Sequence, residues 1–384
     1  MALSEKPKIL VFIDWFLPGY KSGGPVRSCA NLMQHLSEYY DFYVITRDRD
    51  YCEESPYGNV KVDAWNNLDG MQVYYASPAN TSLKGLKSIA AQVPFDRVYV
   101  NGIYSLRFSI FPLLIFKGQD RKKVVVATRG MLAPSAIQVK RTKKRLFLWG
   151  AKMMGLYKGI TFHVTNRKEA KEVQEEVGSN AITLVAPNLP KKYKDVQGGH
   201  RTKSTGSVKL VNVARIAPEK NLKYALEQLS KATGKIEFDI YGPIYDEAYW
   251  DECQEVIQSM PRNITVQYKS SVHPDELQKT LSGYHFMYMP TRGENFGHII
   301  LESLVAGCPV IISDKTPWLD LQKLQIGWDI RLAQKDRFTE VLNECAEMSQ
   351  ESYSTLSEKA HQYAWNFVQN KEAVQQSRQL FVNS

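Results

Sequence analysis

Residues 8–46 read KILVFIDWFLPGYKSGGPVRSCANLMQHLSEYYDFYVIT, and this stretch decides the fold. Its first part, 8–16, is a short apolar run rich in β-branched and aromatic residues, the pattern of a buried strand. A glycine-containing loop follows at 19–24. From Pro25 onward Val26, Cys29, Ala30, Met33 and Leu36 recur at helical spacing, and proline is accepted at a helix start. Residues 41–46 are strand-like again. Strand and helix in alternation mark a parallel sheet covered by helices.

The alternation continues, with strands predicted at 71–76, 97–101, 124–128, 160–165 and 182–186. It breaks at 190–207 (PKKYKDVQGGHRTKSTGS), a polar stretch without apolar periodicity that reads as a linker. It resumes with a strand at 208–214, a helix at 218–231 and strands at 236–241, 264–268, 286–289 and 310–313. A long helical region from 352 to 381 ends the chain. No short-period repeat or low-complexity tract is present. The length of 384 residues suits two domains, at roughly 150 residues each. The fold class is therefore α/β, with two doubly wound domains: 1–190, a linker at 191–206, 207–360, and a C-terminal helix at 361–384. In such sheets ligands bind beyond the carboxyl ends of the strands, so function is sought in the loops that follow them.

Composition narrows the class. Hydrophobic residues make up 43% and charged residues 23%, which excludes disordered, collagen-like and small disulfide-stapled chains. Five widely spaced cysteines without a Cys-x-x-Cys pair read as reduced thiols of a reducing compartment. The start lacks the apolar core of a signal peptide, and the apolar run at 108–116 is far short of the ~20 residues of a spanning helix. A cytoplasmic protein is expected, soluble or attached at most to a membrane surface.

The net charge of +9 is uneven: residues 1–190 carry 26 Lys+Arg against 16 Asp+Glu, the remainder 23 against 24. The excess peaks between Lys117 and Arg145. Such a face attracts phosphates, nucleic acid or anionic lipid; a solvated helix face is the alternative. The stretch from Lys140 to Arg145 runs into Leu146-Phe147-Leu148-Trp149 and Met153-Met154. Cations beside aromatic and aliphatic residues suit an interfacial helix on an anionic bilayer, and a core-facing helix with a charged outer side is the alternative. No RNA- or DNA-binding motif accompanies the charge, so nucleic acid is not expected as a partner.

The chemistry concentrates in 289–310 (MPTRGENFGHIILESLVAGCPV). A strand ends at Met289, a polar loop carries Glu294, Asn295, Phe296 and Gly297, and an apolar helix starts near His298. The N–H groups of Phe296, Gly297 and His298 are the open donors of a helix N-terminus, a ready site for a diphosphate, and Gly297 has no side chain to block approach. Glu294 and Glu302 flank those donors. Carboxylates there accept hydrogen bonds from sugar or ribose hydroxyls; a capping Glu and a solvated helix Glu are the alternative.

Arg215 and Lys220 in 208–220 (VKLVNVARIAPEK) place two cations at a strand-to-helix junction. A positive charge there opposes the helix dipole unless an anionic ligand offsets it. Gly23 and Gly24 precede the first helix, where they permit close backbone approach to a ligand or simply a tight turn. They are not part of a dinucleotide fingerprint, which speaks against a nicotinamide oxidoreductase. Asn101 ends a strand and either faces the cleft or caps a turn. Asp48-Arg49-Asp50 is a short Asp-x-Asp, and the histidines lack ligand spacing, so no metal site is expected.

Taken together, G-G-x-x-R at 23–27, A-R-x-x-P-E-K at 214–220 and E-N-F-G-x-x-x-x-E-S-L-x-x-G-x-P-V at 294–310 resemble the family-4 glycosyltransferases of the GT-B fold. Pro187-Asn188 resembles the pair that closes their first domain. Thr316-Pro317-Trp318 with Gly327-Trp328 resembles the members that build bacterial capsules, exopolysaccharides and O-antigens.

The resemblance implies two Rossmann-like domains facing across a cleft, with the C-terminal helix at 361–384 packing back on the first. It also implies a retaining transferase that takes its sugar from a nucleotide-sugar, UDP favoured, with no cofactor or essential metal. On this reading Arg215 and Lys220 neutralise the departing diphosphate and Glu294 holds donor-sugar hydroxyls. Asn295 and the N–H groups of Phe296 and Gly297 contact the donor, Glu302 binds ribose, and Gly24 lets a first-domain loop close over the phosphates. The first domain holds a glycan or lipid-linked acceptor at the inner face of the cytoplasmic membrane.

One departure concerns Thr128-Arg129-Gly130-Met131, where many relatives carry His-Gly. Arginine cannot act as a base at neutral pH, so Arg129 is expected to stabilise the leaving phosphate or an anionic acceptor. Two rival functions share the fold: a sugar-nucleotide epimerase, separable by product analysis without acceptor, and a catalytically silent partner subunit, separable by donor binding.

Overall fold

The computed structural model describes residues 5–117, 123–138, 141–193 and 201–382. The chain forms two compact units, Met1–Lys192 with Asn370–Ser384, and Tyr193–Gln369. The first contains β1 (Lys8–Phe12), β2 (Asp41–Arg47), β3 (Trp65–Leu68), β4 (Met71–Ala76), β5 (Arg97–Asn101), β6 (Val124–Ala127), β7 (Thr161–Val164) and β8 (Ile182–Val185). They make one sheet in the order β3-β4-β2-β1-β5-β6-β7-β8, parallel except for the β3–β4 pair.

Along β1, Ile9 and Val11 enter one core cluster with Met33 and Leu36 of the helix Gly24–Leu36. Leu10 and Phe12 enter the cluster on the other face with Phe108 and Leu113. Successive side chains of a strand point to opposite faces, so a strand covered on both sides is apolar at every position. β3 is absent from the predicted strands because Asn66 and Asn67 break its apolar pattern. It is held as a hairpin by Asp69 and Gly70, with φ of 49° and 83°, the turn chemistry this connection favours.

The second unit contains β9 (Ser207–Val213), β10 (Lys235–Tyr241), β11 (Ile264–Tyr268), β12 (Phe286–Met289), β13 (Val310–Ser313) and β14 (Gly327–Ile330). All pair in parallel, in the order β11-β10-β9-β12-β13-β14. Phe286 and Tyr288 face one core cluster, Met287 and Met289 the other. β14 is also new relative to the sequence reading, because its GWDI carries a glycine and an aspartate in place of a continuous apolar run.

Two boundaries differ from those read in the sequence. Residues 194–200 of the expected linker lie outside the described residues, but 201–206 are built into the second unit. Arg201 is 7% exposed and donates to the carbonyls of Ala306 (2.6 Å), Gly307 (2.8 Å) and Leu281 (3.2 Å). Lys203, 4% exposed, donates to the carbonyls of Ala346 (2.7 Å) and Met348 (3.1 Å). These carbonyls lie at the C-terminal ends of the helices Leu277–Leu281, His298–Val305 and Lys335–Glu347, where open acceptors and the helix dipole favour a cation. A polar composition suggests a solvated linker, whereas here the charges are helix caps.

The expected C-terminal helix is two helices. Gln350–Val368 belongs to the second unit, where Ala360 and Ala364 pack with Ile300, Leu301 and Leu304. The chain then breaks at Asn370, whose side-chain oxygen accepts from the Glu372 N–H at 2.8 Å. Glu372–Gln379 belongs to the first unit, and Phe381 beyond it meets the rings of Tyr40, Phe42 and Tyr99 edge-on. Among the described residues no helix is long and apolar enough to cross a membrane.

Candidate active site

In the second unit β9 lies beside β12, so the loops after these strands are neighbours although they are far apart in sequence. They are laced together. Asn221, with φ of 62°, donates to the Pro290 carbonyl at 2.9 Å and accepts from Arg292 Nε at 3.1 Å. The Glu219 carbonyl accepts from the Arg292 N–H (2.9 Å) and the Thr291 hydroxyl (3.1 Å). On this frame Lys220 Nζ meets Glu294 Oε1 at 2.5 Å, with side chains only 17% and 12% exposed. Two residues read separately in the sequence thus form one ion pair.

Arg215 is held differently. Its guanidinium pairs with Glu219 at 2.8 Å and lies over the Tyr245 ring, 5.4 Å from the centroid. Both partners of that pair are about 40% exposed, so the pair is worth little to stability and yields readily to a stronger anion.

The loop from Glu294 leads into the helix His298–Val305. The Glu294 N–H donates to the Lys315 carbonyl at 3.1 Å, and Trp318 Nε1 donates to the Phe296 carbonyl at 2.6 Å. Among the described residues none accepts from the N–H groups of Phe296 or Gly297, which stay open for a ligand. Gly297 has φ of 75°, and a Cβ there would lie 2.8 Å from Ile300 Cδ1. Its lack of a side chain therefore serves a left-handed helix entry and close packing. Phe296 packs against His298, Trp318 and Phe367. Asn295 lies half-buried in the same loop, and Glu302 half-buried on the helix.

In the first unit the structure joins Asn101 and Arg129 directly. Arg129 Nε donates to Asn101 Oδ1 at 2.8 Å, one Nη to the Asn188 side-chain oxygen, and the other to the Tyr99 hydroxyl at 2.8 Å. Tyr99 in turn donates to His163 Nδ1 (2.8 Å), whose Nε2–H reaches the Ala186 carbonyl (2.8 Å). Burial, helped by the nearby Arg129 charge, pushes the His163 pKa down to about 3, so the ring is neutral and this direction of donation is fixed. Sequence reasoning missed Tyr99 and His163 because both lie within strands that read as plain core.

Gly24 opens the helix Gly24–Leu36, and a Cβ on it would meet nothing within 4 Å. The position that demands glycine is Gly23, with φ of 76°. Asp48 is paired with Arg49, and Asp50 accepts from the N–H groups of Tyr20 and Lys21, so this Asp-x-Asp organises its own loop.

The helix Arg141–Met153 buries Leu148 and Ala151 and leaves Leu146 66%, Trp149 63% and Met153 72% exposed. Arg141, Lys143 and Arg145 are exposed beside them; Lys140 lies outside the described residues. The apolar residues at 146, 149 and 153 share one helical face.

Residues 199–362, which hold the Lys220–Glu294 pair, match the family described as Glycosyl transferases group 1. A search of curated proteins finds no match. Sucrose-phosphate synthase of Thermosynechococcus elongatus superposes with a TM-score of 0.71 at 14% identity, over 98% of this chain and 99% of that one. Anabaena HepE, in complex with UDP and glucose, gives 0.69 at 13% identity over 97% and 98%. WaaG, a glycosyltransferase involved in lipopolysaccharide biosynthesis, gives 0.66 at 13% identity over 98% and 100%. The fold is GT-B, with two Rossmann-like α/β units, and its second unit carries the match to the glycosyl transferase family.

Proposed function

We propose that this protein is a retaining glycosyltransferase that moves a sugar from a nucleotide-sugar, UDP-linked by preference, to a glycan or lipid-linked acceptor of a surface polysaccharide. The observation that carries the reading is the half-buried Lys220–Glu294 pair beside the open N–H groups of Phe296 and Gly297, within the segment that matches the transferase family. HepE, bound to UDP and glucose, is similar in fold, which favours UDP.

In the proposed reaction the acceptor hydroxyl attacks the anomeric carbon on the face from which the diphosphate departs. The bond from that carbon to the phosphate oxygen breaks, and the hydroxyl proton passes to the leaving diphosphate. Charge grows on the phosphate, where positioned cations and N–H groups stabilise it without a metal. Lysine has three donors, so Lys220 can hold Glu294 and a phosphate oxygen together. Arg215 exchanges Glu219 for the diphosphate. Glu294 orients sugar hydroxyls, with Asn295 in the same loop, and Glu302 takes the ribose. Gly24 belongs to the first unit's share of donor binding.

The test is thermal unfolding against UDP, GDP, ADP and CMP. A ligand at a hundred times its Kd adds about 2.7 kcal/mol, a shift of several degrees, and UDP is expected to give it. Arg215→Ala should reduce that shift. A panel without any nucleotide-dependent shift would overturn the donor assignment.

The exposed Leu146, Trp149 and Met153 with their flanking cations support attachment to the inner face of the cytoplasmic membrane, where a lipid-linked acceptor is presented. Co-sedimentation with phosphatidylglycerol vesicles should exceed that with phosphatidylcholine and fall at high salt. Trp149→Ser should weaken it about tenfold, since an interfacial tryptophan is among the strongest anchors. Equal binding of wild type and variant would refute attachment through this face.

A further inference from the structure

We infer that Arg129 anchors an oxyanion subsite in the first unit, held in place by neutral oxygens alone and presenting two N–H groups to a phosphate or carboxylate. This deepens the transferase reading, resting on it only for which molecule carries the anion.

The guanidinium has five donors. Asn101, Asn188 and Tyr99 take one on each nitrogen, which leaves one N–H on each Nη without a partner among the described residues. Among the described residues no carboxylate pairs with the half-buried group. Glu169, the carboxylate at this corner, is occupied by the Gly130 N–H (2.5 Å), the Thr128 hydroxyl, and the N–H (2.6 Å) and hydroxyl (2.8 Å) of Thr165. His163 is neutral and faces Tyr99 and the Ala186 carbonyl. The positive charge is therefore positioned but uncompensated, at the carboxyl ends of β5 and β6 where ligands of such sheets bind.

The backbone points the same way. Arg129 has φ of 51° and Gly130 of 71°, and the Met131 N–H closes the turn on the Thr128 carbonyl at 3.0 Å. A turn with two positive φ values favours Asn, Asp or Gly, so arginine there is a strained choice that its side chain must repay. Glu169 fixes the turn through Thr128 and Gly130 and so aims the guanidinium. Asn101, Asn188 and Tyr99 set its plane, the preorganisation that bidentate recognition of an oxyanion needs.

Calorimetric titration of inorganic phosphate into the full chain, with and without saturating UDP, tests the subsite. Arg129→Gln is expected to weaken phosphate at least tenfold, and Arg129→Lys at least threefold, because lysine keeps the charge but loses the planar fork. Phosphate binding that persists under saturating UDP assigns the subsite to an anionic group of the acceptor. Binding displaced by UDP assigns it to the donor's diphosphate. Phosphate affinity unchanged in Arg129→Gln would overturn the inference; should that variant fail to fold, unchanged affinity in Arg129→Lys does the same. A wild type that binds phosphate through Arg129 yet ignores every nucleotide would sink the transferase reading and leave the subsite standing.

Discussion

Glu294→Ala is expected to lower turnover at least a hundredfold while leaving the Kd for UDP within about twofold, the signature of an interaction made mainly in the transition state. Two consequences of one deletion combine. The sugar hydroxyls lose their acceptor, and Lys220, only 17% exposed, loses the carboxylate that fixes its ammonium. Lys220→Ala should cost a similar factor, because the phosphate then departs without its cation.

The two residues act as a unit, so the double variant should be scarcely worse than either single one. Glu294→Gln keeps one acceptor oxygen and should fall between. Glu302→Ala should do the reverse of Glu294→Ala, raising the UDP Kd about tenfold through the lost ribose contact. Steady-state kinetics with calorimetry of UDP binding separates these patterns. Near-normal turnover in both Glu294→Ala and Lys220→Ala would defeat the site assignment.

Gly242→Ala should be the most damaging single methyl in the second unit. Gly242 has φ of 144°, and a Cβ there would lie 1.9 Å from the Ala214 carbonyl oxygen and 3.1 Å from the Arg215 nitrogen. Both contacts are backbone, so no rotamer change relieves them. Overpacking costs typically 1–3 kcal/mol and a disfavoured φ about 1–2 more. A loss of roughly 2–5 kcal/mol corresponds to a fall in Tm of about 5–15 °C for a unit of this size.

The clash also pushes the loop that carries Arg215, so the UDP-dependent shift should shrink in any protein that still folds. Gly58→Ala is the control, with open space around it and no left-handed φ. A Tm for Gly242→Ala within two degrees, about what 1 kcal/mol produces, would mean that the β9 and β10 ends are free to separate.

Much of this architecture was legible in the sequence because the signals are local. Continuous apolar runs marked strands buried on both faces, and helical spacing marked the helices that cover them. Strand ends followed by Arg215, Lys220 and Glu294 located the loops where chemistry belongs. Where local signals were weak, the reading stopped: β3 carries two asparagines, and β14 opens on glycine and carries an aspartate. Arg201 and Lys203 looked like linker residues because composition does not reveal that a charge will cap a helix.

The sequence by itself determined the two α/β units, the order of strands along the chain and the residue types offered at each strand end. Only the tertiary structure decided which of those residues meet. Lys220 and Glu294 are 74 positions apart and pair because β9 lies beside β12. Arg129 draws its acceptors from the ends of β5 and from the segment after β8. Periodicity records which face a residue turns to the core, whereas the order of strands in a parallel sheet is set by crossovers that leave no local mark.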